Sequence, residues 1–127
     1  PTTFVLVMLL GGILGMQNIQ LISVELGIAF SVFVLGIAIA ADKKFSAIWT
    51  MFFVGIFALF HGHAHGVEMP SLASPVLYAL GFVSGTAVIH IAGVVIGSYA
   101  NSSAYGEKLM RYSGAGIAGT GLYFIFS

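Results

Sequence analysis

The sequence contains no cysteine and very little charge: four Lys/Arg, four Asp/Glu, 6% charged residues in all and a formal net charge of zero. The missing cysteine excludes disulfides and thiolate-held metals, though it says little about redox compartment. Soluble domains carry roughly a quarter charged residues, so an ordinary water-soluble domain is excluded too. The few basic residues form no cluster that would grip nucleic acid. No GxxxxGK[ST] loop occurs, so any energy from ATP would have to come from a partner. The opening at Pro1 carries no positively charged leader, and no intact signal peptide is expected. A trimmed initiator methionine and a longer precursor both fit that start.

What remains is apolar: 59% of the 127 residues are hydrophobic. A helix needs about 20 mainly apolar residues to cross the hydrocarbon, with a range of roughly 17–25. Five stretches approach or meet that length, at about 3–16, 24–41, 45–66, 76–100 and 109–126. Long unbroken apolar runs predict helices, because barrel strands would alternate. The expected fold is all-α: one polytopic membrane helix bundle over 1–127 with about five transmembrane helices. The run Met69 to Pro75 interrupts it, since proline lacks an amide donor and disfavours a helical residue before it.

Orientation follows from the basic residues, all of which lie between spans two and three (Lys43, Lys44) or around the start of span five (Lys108, Arg111). With five spans these segments share one side, which the positive-inside rule makes cytoplasmic. Pro1 then lies inside, and the polar stretch Gln17 to Ser23 and the segment around Glu68 lie at the outer side of a plasma (inner) membrane. Glycines at i, i+4 (Gly11/Gly15, Gly62/Gly66, Gly81/Gly85, Gly93/Gly97) predict close helix packing. The glycines of span five, at 114, 116, 119 and 121, predict a packed helix rather than a lipid-exposed one.

Three of the four histidines gather in "FHGHAHGVE", residues 60–68. On a helix His61, His65 and Glu68 fall at i, i+4 and i+7, on one face, with His63 pointing to the opposite side. Two imidazoles and a carboxylate suit a divalent first-row metal such as nickel, zinc, copper or iron. Ionisable groups inside a membrane are costly, so an idle cluster is disfavoured unless it sits at the wet end of a span. An interfacial histidine cap and a proton relay through His and Glu are the alternatives. His90 lies deep in span four, where it is a second station on a path or a partner for a neighbouring carbonyl. Thr86, one turn earlier, is placed to hydrogen-bond within the bundle. Glu25 opens span two on the same side as Glu68; it adds a carboxylate or simply favours the helix dipole. Asp42 and Glu107 lie beside lysines and are expected to be solvated.

The nonapeptide resembles the FHGxAHGxE signature of the HupE/UreJ hydrogenase/urease accessory proteins, with His63 at a variable position. "VELGIAFSVFVLG", "YALGFVSGTAVIHIAGVVIG" and the glycine-rich last helix also look like family segments, so the resemblance covers nearly all of the chain. It implies a nickel permease, cobalt in some cases, that supplies nickel enzymes. It also implies metal-handling roles for His61, His65, Glu68, His90 and Glu25, with His63 as an additional candidate. The family's earlier HPxxGxDH helix has no counterpart in this sequence, which opens where the family's second helix would be. Adding such a helix would give six spans, with both termini outside.

The reading that follows is a permease for a divalent transition metal working by facilitated diffusion, not an enzyme. It holds no permanent cofactor and takes Ni2+ as cargo, with Co2+ and Zn2+ as alternatives. Its partners are the lipid bilayer and the metal ion, with a homo-oligomer or a larger membrane complex also compatible. The competing reading is a non-transporting structural or assembly subunit that keeps the same fold.

Overall fold

A computed structural model of the chain describes residues 2–127; Pro1, assigned above to the inner side, lies outside them. The described residues form five helices: α1 (Thr2–Met16), α2 (Val24–Ala41), α3 (Ala47–Val67), α4 (Pro75–Ala100) and α5 (Ala104–Phe126). The all-α expectation therefore holds. Three of these, α2, α3 and α4, are long and apolar enough to cross a membrane. α1 is apolar but has 15 residues, about 22 Å at 1.5 Å per residue, against roughly 30 Å of hydrocarbon. α5 is long but begins with Glu107, Lys108 and Arg111 in its first two turns.

The ends of the helices have local causes. α1 stops in a Schellman arrangement: Ile19 N–H donates to the Leu14 carbonyl at 3.1 Å and Asn18 N–H to Gly15 at 3.0 Å. Asn18 takes the left-handed conformation this requires, with φ 56°, which asparagine tolerates better than most residues. α4 starts with Pro75 in its first turn, where the missing amide costs no hydrogen bond. Tyr78 N–H closes that turn on the Ser74 carbonyl.

α5 begins at Ala104, five residues before the apolar run that predicted it. Ser103 is the cause: in extended conformation, its hydroxyl accepts from Gly106 N–H at 3.1 Å, a side-chain cap. Glu107 in the first turn adds favourable charge at the positive end of the dipole. Lys108 and Arg111 thus belong to a helix, not to a loop.

The described residues divide into two compact units: residues 2–25 with 46–90, and residues 26–45 with 91–127. In the first, α1 and α3 meet through glycine. A Cβ on Gly62 would run into the Met8 backbone, one on Gly11 into Leu59 and His63, and one on Gly66 into Gly12 and Met16. Such close approach supplies dispersion contact where lipid and protein are equally apolar. Met8, Phe57 and Ala58 are buried in this unit.

The second unit uses the same device between α2 and α5. Gly36 lies against Ala118 and Gly114, while Gly121 lies against Phe33 and Ala29. Ser31 is fully buried there and satisfies its hydroxyl on the Ile28 carbonyl of its own helix at 2.6 Å. Gly116 and Gly119 meet nothing, as do Gly81, Gly85, Gly93 and Gly97 along α4. Glycine spacing alone therefore overstated the number of packed faces.

Candidate metal path

α3 continues through the histidine segment to Val67, and Glu68 caps it in helical conformation with its N–H on the Ala64 carbonyl. The helical spacing of His61, His65 and Glu68 is thus present. His61 and His65 are half-buried and Glu68 is exposed. On α4, His90 is half-buried as well, and Glu25, in the first turn of α2, is exposed.

Two histidines are prepared in the same way. His61 Nδ1 lies 3.2 Å from the Phe57 carbonyl oxygen, and His90 Nδ1 lies 2.9 Å from that of Thr86. A carbonyl only accepts, so each Nδ1 must carry the proton and donate it. In the neutral ring Nε2 then holds the lone pair. A metal-binding histidine typically donates its other ring N–H in this manner, which fixes the ring and the tautomer. Here each partner carbonyl comes from the preceding turn of the same helix, so the preparation needs no other element.

Phe4 of α1 links these rings. Its centroid is 6.2 Å from that of His61 and 4.7 Å from that of His90, both tilted. Among the described residues His65 has no side-chain hydrogen-bond partner, and it stacks on Phe82 of α4 at 5.5 Å with an interplanar angle of 6°. Phe82 in turn packs edge-on to Tyr78 at 5.8 Å. Among 11 phenylalanines, nothing in composition or spacing distinguishes Phe4 and Phe82. Thr86, expected to bond within the bundle, turns its hydroxyl to the Met8 sulfur at 3.5 Å while its carbonyl serves His90.

His63 does something else. It is only 5% exposed, and its Nε2 donates to the Ile19 carbonyl at 2.6 Å. It shares the α1-facing side of α3 with Gly62 and Gly66, whose missing side chains bring the two backbones together. Its Nδ1 is buried with no hydrogen-bond partner. The additional candidate ligand is thus occupied in holding the segment after α1.

Among the described residues no three His, Asp or Glu side chains gather into a group that could hold one metal ion. The candidate ligands are distributed instead: His61 and His90 about Phe4, His65 on Phe82, and Glu68 and Glu25 at exposed positions.

A family model described as HupE / UreJ protein matches residues 1–124. The chain belongs to the HupE/UreJ family. It is 38% identical over 118 residues to Protein HupE of Rhizobium leguminosarum bv. viciae, which covers 93% of this chain and 61% of that protein. This HupE/UreJ chain therefore spans about three-fifths of that relative's length. No solved structure matches it. Family membership and the three long apolar helices make it a membrane protein.

Proposed function

We propose that this chain carries a divalent transition-metal cation, nickel before cobalt or zinc, across the membrane by facilitated diffusion. The family is associated with nickel and cobalt uptake for hydrogenase and urease. The observation that supports the reading most is the matched preparation of His61 and His90. Each has its Nδ1–H committed to a carbonyl of its own helix, which leaves Nε2 as donor to a metal.

The distribution of ligands favours transit. A permeating ion must bind well enough to enter and weakly enough to leave. Glu68 and Glu25 attract the cation at exposed positions. His65 and His61 replace part of its water shell, and His90 receives it next. In this reading all five helices cross the membrane, with Lys43, Lys44, Lys108 and Arg111 at the cytoplasmic side and Glu68 toward the outside. The cation is cargo throughout, and no reaction is performed on it.

The structural-subunit reading has one observation in its favour. None of the 26 residues of α4 is buried, and its four spaced glycines meet nothing, so this helix keeps a surface on which another protein could pack. Uptake into liposomes separates the two. Nickel, cobalt and zinc are supplied separately to the wild type, His65→Ala and Glu68→Gln. Uptake that depends on both side chains supports the permease. A folded protein that admits no metal above the empty membrane leaves the structural role as the better account.

A further inference from the structure

The second unit contains a partly open cavity of about 180 Å³ where the end of α2 meets the start of α5. Its wall includes two acids and two bases, Asp42, Glu107, Lys43 and Arg111, together with Asn101 and the apolar Met110. These charges do not pair with one another, although opposite signs line one small space. Arg111 instead donates its Nε–H to the Ala40 carbonyl at 2.9 Å. That bond satisfies a carbonyl in the last turn of α2 and anchors the guanidinium at the cavity. The four remaining guanidinium N–H donors have no hydrogen-bond partner among the described residues.

The surroundings are those of a membrane boundary. The apolar run of α2 ends at Ala41 beside the cavity, and the apolar part of α5 begins just beyond Arg111. Tyr99, Tyr105 and Tyr112, between 75% and 83% exposed, are aromatic residues of the type that sit at headgroup level.

From this charge pattern we infer that the cavity binds the phosphoethanolamine headgroup of a membrane phospholipid. The phosphate lies on Arg111 and Lys43, and the primary ammonium lies on Asp42 and Glu107. Guanidinium and phosphate match in geometry, and an ammonium with N–H donors suits two carboxylates. A choline headgroup has no N–H to donate. A glycerol headgroup offers the carboxylates neutral hydroxyl donors but no cation, so the stronger charge-assisted bonds are absent. The site is independent of the metal path, since none of its residues belongs to that path.

The test is native mass spectrometry of the full chain in detergent, offered equal amounts of phosphatidylethanolamine, phosphatidylcholine and phosphatidylglycerol with identical acyl chains. Ethanolamine lipid is expected to be retained about two- to fivefold over the other two, the range that exposed charge pairs support. Lys43→Gln and Glu107→Gln should each remove that preference while the Arg111–Ala40 bond, and with it the fold, stays in place. Equal retention of the three lipids overturns the assignment, as does a preference that survives both substitutions. Displacement of the lipid by soluble glycerophosphoethanolamine at comparable concentration would also overturn it, in favour of a water-soluble ligand.

Discussion

His63 Nε2 reaches the carbonyl oxygen of Ile19, 44 residues earlier in the chain, at 2.6 Å. Ile19 is the last residue of the Schellman stop that ends α1, and its own carbonyl has no helical partner. Irregular backbone at the edge of a membrane needs such a donor, because no water is guaranteed there. The bond holds the segment between α1 and α2 to α3, at the expense of one buried, unpartnered ring nitrogen.

His63→Ala should therefore cost about 1–3 kcal/mol, the penalty for leaving a buried acceptor without a partner. The effect should be concentrated in residues 17–23. Hydrogen exchange in detergent would show faster exchange there with α4 and α5 unchanged, and His63→Gln should restore part of the protection. Unaltered exchange would show that the segment is held by other contacts.

The glycines divide into two classes with opposite predictions. Gly62→Ala places a methyl group against the Met8 backbone, which cannot move without separating α1 from α3. Overpacking of this kind costs about 1–3 kcal/mol. Gly85→Ala, where a Cβ meets open space, should lie within about 0.5 kcal/mol of the wild type. Thermal unfolding in one detergent compares the pair directly, and similar midpoints would contradict the α1–α3 packing.

Much of the fold was legible in the sequence because hydropathy and breakers act locally. The end of α2 at Ala41 and the interruption at Met69 to Pro75 follow from Asp42-Lys43-Lys44 and from two prolines. The start of α5 did not follow, because a hydroxyl cap at Ser103 precedes the apolar run and hydropathy does not register it. Nor could spacing separate Gly62 from Gly85: both stand in i, i+4 pairs, and only the partner helix makes them differ. At the site, helical periodicity gave the i, i+4 spacing of His61 and His65 on α3, with Glu68 at its C-cap, and set His63 apart from them; among the described residues the three do not gather into one group. It could not anticipate the bond to Ile19 or the ring contacts of Phe4 and Phe82, which join residues far apart in the chain.

The cap on α5 gives a simple check of that boundary. Ser103→Ala removes the acceptor for Gly106 N–H and should cost about 1 kcal/mol. Ser103→Asp should retain most of the stability. Equal loss in both variants would mean that the hydroxyl is not the cap.

Phe4 contacts both prepared histidines, so its ring helps to set their orientation. Pairs of this type are worth about 0.5–1.5 kcal/mol, and Phe4→Ala should slow metal uptake by about 2–10-fold. Phe4→Tyr, which keeps the ring, should retain most of the rate. Full uptake in the alanine variant would remove Phe4 from the account.

The central claim is that His61 and His90 carry the cation through their Nε2 atoms, and uptake of Ni2+ into liposomes containing His61→Ala, His90→Ala or the double variant tests it most directly. The account predicts saturable uptake by the wild type and a loss of about tenfold or more in each single variant, from removal of a ligand nitrogen. It predicts little further loss in the double variant, because the two residues serve one path. Wild-type rates in the folded single variants, or no uptake by the wild type above protein-free liposomes, would contradict it.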